Sequence, residues 1–317
     1  MFELGKIKYI EIILFVLICS LLFLFVLKKN KEGFINQKQD IVIHTENDIF
    51  DDYYSKMYDK LLLDDAKLNF EINHIFQNPN SNPNSNPNSN PNSNKIKTYN
   101  VLDVGCGTGH HINKMTNLNI KCIGIDNSKS MILKSQKKFP KSKFKLADAM
   151  TSLEFPEHNF SHILCLHFTV YYFKDKRRFL ENCFHWLKPN GLLILHLVNI
   201  KKFNIILPNA KPFIKSHKKT NQNVILFNKL KYRSKFINDA NINFNTLRLD
   251  EPNVIFKEIF NFEDTNKVRI NEHKLYMSSQ NAIINCALEV GFMLKTYAEI
   301  NLETCSYNYL YTLEKPN

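Results

Sequence analysis

Paired cysteines are missing from this 317-residue chain: its seven cysteines are scattered without a C-x-x-C pair, so neither a zinc site nor a disulfide framework is suggested. Acids are missing between Lys201 and Lys235, where ten Lys or Arg residues stand without one Asp or Glu. Apolar side chains are missing from Asn78 to Asn94, which is four copies of Asn-Pro-Asn-Ser and one further Asn. That period is too short for a solenoid and the segment has nothing to bury, so it reads as a disordered insertion without chemistry of its own. Glycine is scarce as well, at eight residues, yet three of the eight fall between positions 105 and 109.

What the chain does contain begins with an apolar run, Ile12 to Leu27, broken only by Cys19 and Ser20. With Tyr9, Ile10 and Glu11 it approaches the roughly 20 residues that a spanning helix needs. It is long for the core of a cleaved signal peptide, and Val26-Leu27-Lys28-Lys29 offers no small-residue cleavage site. The expectation is a transmembrane anchor over residues 1–30, followed by a polar tether over 31–50. Lys28, Lys29, Lys31 and Lys38 follow the run while Lys6 and Lys8 precede it, which puts the C-terminal side in the cytosol. A formal net charge of +12 implies attraction to nucleic acid or anionic lipid, or only a Lys- and Asn-heavy composition. The acid-free run Lys201–Lys235 leans towards an anionic surface.

The stretch around which the rest is arranged is Val101-Leu102-Asp103-Val104-Gly105-Cys106-Gly107-Thr108-Gly109. An apolar strand ends at an acid and a glycine-rich turn, and a helical segment follows, which is how a doubly wound α/β sheet opens. A G-x-G-x-x-G fingerprint would put its third glycine at position 110, which is His110. About twenty residues on, Lys121 to Asp126 reads as a second strand ending in an acid, where such folds place a carboxylate that accepts from ribose hydroxyls. Asn127 and Ser128 cap the next helix. Phe144 to Ala149 reads as a third strand with Asp148 at its end, Asn159 to Leu166 as a fourth, and Leu192 to Val198 as a fifth after the turn Lys188-Pro189-Asn190-Gly191. Three acids at successive strand ends stand in register with one glycine loop.

These motifs resemble the class I S-adenosylmethionine-dependent methyltransferases, most densely from Val101 to Val198. The resemblance implies S-adenosylmethionine as cofactor, with Asp103, Gly105, Gly107 and Gly109 forming its loop and Asp126 and Asn127 on the ribose. It implies Asp148 and the Ala149 amide on the adenine, with Leu166 also in the site. Small-molecule members carry a Tyr-x-x-x-Tyr-Asp-like helix that folds over the cofactor, which assigns Tyr54 and Tyr58 the same role. Ser161 departs from the pattern, because the family usually has an acid there.

The expected fold class is α/β: a doubly wound, Rossmann-like, seven-stranded methyltransferase sheet with a C-terminal antiparallel hairpin, a β-rich lid inserted after the fifth strand, and the N-terminal transmembrane helix. Within a methyltransferase domain at 51–317, the expected parts are a capping helix (51–77), the repeat (78–94), the cofactor-binding core (95–199), the lid (200–277), and a terminal helix and hairpin (278–317). Methyl transfer by in-line displacement needs mainly proximity and orientation, and a base only where the acceptor must lose a proton. His167, just past the fourth strand, and His273, in the lid's last strand, are the candidates, with Tyr171, Tyr172 and Tyr276 as lining residues. No Asn/Asp-Pro-Pro-Tyr, Pro-Cys nucleophile or paired-glutamate loop is present, which favours a small-molecule or lipid-like acceptor. A nucleic-acid or protein acceptor reached through the basic lid, and an inactive cofactor-binding scaffold, are the alternatives.

Overall fold

The structure, a computed structural model, describes residues 17, 18, 20, 39–76, 99–203, 211–215, 218–227, 230–238, 254–302 and 305–317. The apolar run Ile12–Leu27 lies outside the described residues except for Leu17, Ile18 and Ser20, and the repeat Asn78–Asn94 lies wholly outside them. Among the described residues, no helix is long and apolar enough to cross a membrane.

Part of the segment expected as a polar tether is a strand, β1 (Asp40–Thr45). The average polarity of residues 31–50 conceals Ile41-Val42-Ile43, a β-branched run that fits a pleated surface. A 3-10 turn over Glu46–Phe50 leads into helix α1 (Asp52–Leu62), capped by Asp51, whose carboxylate accepts from the Tyr54 amide at 2.8 Å. Leu63 is extended and ends that helix, and α2 (Asp65–Phe76) follows, so the single capping helix expected over 51–77 is two helices.

The core then alternates strand and helix: β2 (Asn100–Val104), α3 (His110–Asn117), β3 (Lys121–Asp126), α4 (Lys129–Lys138), β4 (Phe144–Leu146), β5 (Phe160–Cys165), the short α5 (Thr169–Tyr172), α6 (Lys176–Trp186) and β6 (Leu187–Val198). Strand β4 stops at Leu146, so Asp148 stands in the loop beyond it, and the tetrapeptide Lys188–Gly191 read as a turn falls inside β6. Five further strands follow, β7 (Lys211–Lys215), β8 (Lys218–Phe227), β9 (Leu230–Asn238), β10 (Val254–Phe262) and β11 (Lys267–Leu275). Helix α7 (Gln280–Val290) is capped by Ser279 and closed by Gly291 in the left-handed region, and β12 (Met293–Glu299) and β13 (Asn308–Glu314) complete the chain.

These strands form two sheets. The larger is the mixed, Rossmann-like, seven-stranded sheet in the order β12-β13-β6-β5-β2-β3-β4, with β13 antiparallel to β6 and the strands from β6 to β4 parallel. Strand β2 lies between β3 and β5, so the order of the chain reverses there. Ligands bind outside the carboxyl ends of strands at such a switch point. Trp186, fully buried with its indole N–H on the Ser152 carbonyl at 3.0 Å, packs beside Phe160 and Leu193 on one face. Ile112 and Met115 of α3 with Ile72 of α2 fill the other. The second sheet is the lid, in the order β1-β11-β10-β9-β8-β7, with β1 parallel to β11 and the rest antiparallel.

Gly109 caps α3 at φ +85, and a Cβ there would lie 2.5 Å from Cζ of Phe144 and 3.0 Å from Cβ of Ser135. Its absent side chain is therefore a requirement of backbone and packing. Gly109→Ala is expected to lower stability by about 2–3 kcal/mol, combining left-handed strain with overpacking. Denaturant unfolding reads the change, and an unaltered midpoint would show that the Phe144 ring simply swings aside.

Candidate functional site

The loop after β2 is tied to the end of β3, because Gly105 and Cys106 both donate their amides to the Ile125 carbonyl, at 2.8 and 2.9 Å. Gly105 and Gly107 adopt φ +69 and +53, and a Cβ on Gly105 would lie 2.5 Å from Cγ2 of Thr169. Asp126 closes the loop from below: its carboxylate accepts from the Gly107 amide at 3.0 Å and the Ser128 amide at 2.8 Å. Burial raises its pKa and the two amides oppose that rise. A carboxylate offers about four lone-pair sites, so two remain for hydroxyl donors.

Asp103 is 2% exposed and its Oδ2 has no hydrogen-bond partner. Burial pushes its carboxyl up to about 7, with His111 pulling down and Glu71 and Asp126 pushing further up. It faces a recess of about 70 Å³ that shares Tyr58, Lys67, Gly105 and His167 with a much larger cavity. A buried carboxylate oxygen without a donor is costly, and a cationic donor from a ligand would satisfy it.

Helix α1 covers the loop. The Tyr58 ring sits 3.5 Å from where a Gly107 Cβ would be, and Asp59 accepts from the Thr108 hydroxyl at 2.5 Å and from Lys138 Nζ at 2.6 Å. Burial alone would raise the Asp59 carboxyl, but His110, Lys138 and Thr108 hold it well below the usual range. The cover is thus latched by charge to the loop and to α4. Beyond β4, Asp148 is exposed and accepts from the Met150 amide at 2.9 Å, and buried Ala149 is fixed through its carbonyl by Asn182 at 2.9 Å.

The large cavity has a volume of about 590 Å³. One side is the loop with Asp126, Asn127, Asp148 and Ala149; the other is the inner face of the lid with Phe236, Phe256 and His273. The lid face carries an unusual polar set. Arg269, Asn271 and His273 alternate along β11 and are buried, as is Glu258 of β10. Glu258 accepts from His273 Nε2 at 2.8 Å, from Asn271 Nδ2 at 3.0 Å and from the Tyr232 hydroxyl at 2.7 Å. The other imidazole nitrogen, Nδ1, lies 2.8 Å from the Tyr172 hydroxyl. Burial would raise the Glu258 carboxyl, but His273, Asn271 and Tyr232 outweigh it, so the group stays ionised. An ionised carboxylate only accepts, so Nε2 of His273 carries a proton, and Nδ1 is the nitrogen that faces the Tyr172 hydroxyl.

Residues 101–191, which hold the loop, the strand-end acids and α6, match the family described as "Methyltransferase domain". That match runs from β2 into β6. It is 33% identical over 101 residues to the ubiquinone biosynthesis O-methyltransferase of Bradyrhizobium diazoefficiens, covering 31% of this chain and 40% of that protein. In fold it is similar to the CcbJ methyltransferase of Streptomyces caelestis, with TM-score 0.61 and 13% identity over 86% of this chain and 100% of that one. It is also similar to an S-adenosylmethionine-dependent methyltransferase of Clostridium acetobutylicum, with TM-score 0.58 and 15% identity over 84% and 98%. At 13% and 15% identity, both solved structures are alike to this chain in fold alone.

Tyr54, Tyr58, Gly105, Gly107, Asp126, Asn127, Asp148, Ala149, His167 and His273 all line the large cavity. Asp103 and Leu166 line the adjoining recess, and Gly109 lines neither. The two histidine candidates separate. His167 Nδ1 is 2.9 Å from the Lys67 ammonium, which only donates, so its proton resides on Nε2. Burial and Lys67 drive its pKa well below the ordinary value, leaving no free basic nitrogen. Ser161, where an acid was expected, accepts from the Asn100 amide at 2.9 Å and joins β5 to β2. Asp59, Tyr172 as a partner of His273, and Glu258 were not assigned from sequence. For Glu258 a signal exists: it is an acid in the same alternate register as Val254, Phe256 and Phe260.

Proposed function

We propose that the protein transfers the methyl group of S-adenosylmethionine to a small acceptor held between the glycine loop and the lid. The observation that carries this reading is the cavity of about 590 Å³ lined by both, a size typical of small-molecule sites. The residues fit the cofactor. Asp103 offers an unpaired carboxylate oxygen to its ammonium, Asp126 has lone pairs for the ribose hydroxyls, and Asp148 accepts from the adenine amino group beside the Ala149 amide. The cofactor supplies a methyl on a sulfonium, already a good electrophile. The protein's part is to place the acceptor in line with it and keep water out. The O-methyltransferase relative supports the same reaction class.

Cover by α1 and the lid favours a small or lipid-like acceptor over nucleic acid or protein. On sequence alone, the proposal extends to a membrane anchor at Ile12–Leu27, the domain on its cytosolic side and the basic run Lys201–Lys235 against an anionic surface.

Isothermal calorimetry tests the proposal: S-adenosylmethionine binds and NAD does not. Asp126→Ala is expected to weaken that binding by about 1.5–3 kcal/mol, as charge-assisted hydrogen bonds to the ribose are lost. A folded variant of unchanged affinity removes Asp126 from the site, and binding of NAD instead overturns the reading.

A further inference from the structure

The inner face of the lid bears two features that methyl transfer as such does not require. One is a wall of rings: Phe236 stacks on Phe256 at 4.7 Å between centroids, Phe256 lies 5.4 Å from His273, and Phe50 stands edge-on to both Tyr172 (5.8 Å) and His273 (5.7 Å). Such spacings are those of mutually packed aromatics, and all of these residues line the cavity. The other is the chain from exposed Tyr172 to buried His273 and Glu258, continued through Asn271 to Arg269, whose Nε donates to Asn271 Oδ1 at 2.8 Å and whose Nη1 pairs with Asp51 at 2.6 Å. Tyr54 also packs on His273, and Tyr232 bonds Glu258. Buried polar groups on a lid are costly unless paired. Here the buried groups are paired with one another, and the Tyr172 hydroxyl is the member that reaches the open cavity.

Building on the reading above, we infer that the lid face is the acceptor subsite and takes a planar aromatic compound bearing a hydroxyl, whose proton passes through Tyr172 to His273. The hydroxyl donates to the Tyr172 oxygen. As its proton moves there, the phenol proton of Tyr172 passes to Nδ1 of His273, and the resulting imidazolium rests against the Glu258 carboxylate. The acceptor oxygen forms its bond to the methyl carbon while the carbon–sulfur electron pair stays on sulfur, leaving a neutral ether, a neutral thioether and one proton on His273. A neutral amine would attack without prior loss of a proton, so a three-group relay fits a hydroxyl. Tyr172 is the group that meets the acceptor, and Glu258 is a positioning residue that fixes the imidazole tautomer.

The probe is 4-nitrophenol, whose phenolate absorbs apart from its phenol form. The full chain is saturated with S-adenosylhomocysteine, titrated with the probe, and read by absorbance. Bound 4-nitrophenol is expected to show a phenolate-to-phenol ratio about tenfold or more above that in buffer at the same pH. Tyr172→Phe and Glu258→Gln, which nearly preserve shape, should bind S-adenosylhomocysteine like the parent and return the ratio to its buffer value. Absence of probe binding, an unshifted ratio in the parent, or a shift surviving both substitutions overturns the inference while S-adenosylhomocysteine still binds. Failure of the parent chain to bind S-adenosylhomocysteine would instead sink the proposed function.

Discussion

Asp103→Asn is expected to stabilise the ligand-free protein by roughly 3–4 kcal/mol at about pH 7.5, and to weaken S-adenosylmethionine binding by about 30-fold or more. The carboxyl is buried at 2% exposure with an unpaired oxygen, and burial raises it from 3.8 to about 7. The unfolded chain gives up this proton above about pH 3.8, the folded chain only above about pH 7. Across that window the unfolded state therefore binds fewer protons, and stability falls as pH rises. Asparagine carries no such penalty, so parent and variant should coincide near the lower limit and diverge up to the higher one. Denaturant unfolding at a series of pH values reads the divergence, and calorimetry reads the lost affinity. Equal stabilities throughout would mean that Asp103 is paired in solution. On the proposed function, Asp103 would give up stability where the cofactor's ammonium is to be received.

The parts of this site that were legible in the sequence are those held by local spacing. Gly105, Gly107 and Asp103 belong to one strand and turn, and Asp126 and Asp148 follow at the intervals that a doubly wound fold imposes, so period and chain order place them together. Gly109 shows the limit of that logic. It belongs to the motif, yet its lack of a Cβ answers to Phe144 and a left-handed φ. The relay was not legible, because Tyr172 and His273 are 101 residues apart in the chain and meet only when the lid folds back on α5. No local pattern specifies that meeting. Strand β1 escaped for a related reason: its partner β11 lies more than two hundred residues later, with Asp40 opposite Lys267, and its short apolar run is diluted by polar neighbours. Asp59 follows Tyr58 in the Tyr-x-x-x-Tyr-Asp pattern, but its pairing with Thr108 and Lys138 depends on where the cover lands.

Glu258→Ala is expected to cost about 3–5 kcal/mol of stability, because three buried donors lose their acceptor at once. The carboxylate is fully buried and accepts from His273, Asn271 and Tyr232, themselves at most 2% exposed, so water cannot replace it. Each orphaned donor carries a penalty of about 1–3 kcal/mol, to which the volume lost between Tyr232 and His273 adds. The effect has a pH signature. Burial by itself would raise Glu258, but hydrogen bonds from His273, Asn271 and Tyr232 and attraction to His273 hold it below its ordinary 4.5. A carboxyl depressed on folding contributes stability that is fully present above its unfolded value and is lost as pH falls through the folded one. The parent should therefore weaken below about pH 4.5 partly through this group, whereas the alanine variant, already without the contribution, should show a shallower acid limb. Denaturation midpoints at neutral and acid pH measure both effects. A loss of less than about 1 kcal/mol, the scale of a single net hydrogen bond, would mean that the lid's inner face opens to solvent and that Glu258 holds neither His273 nor the sheet.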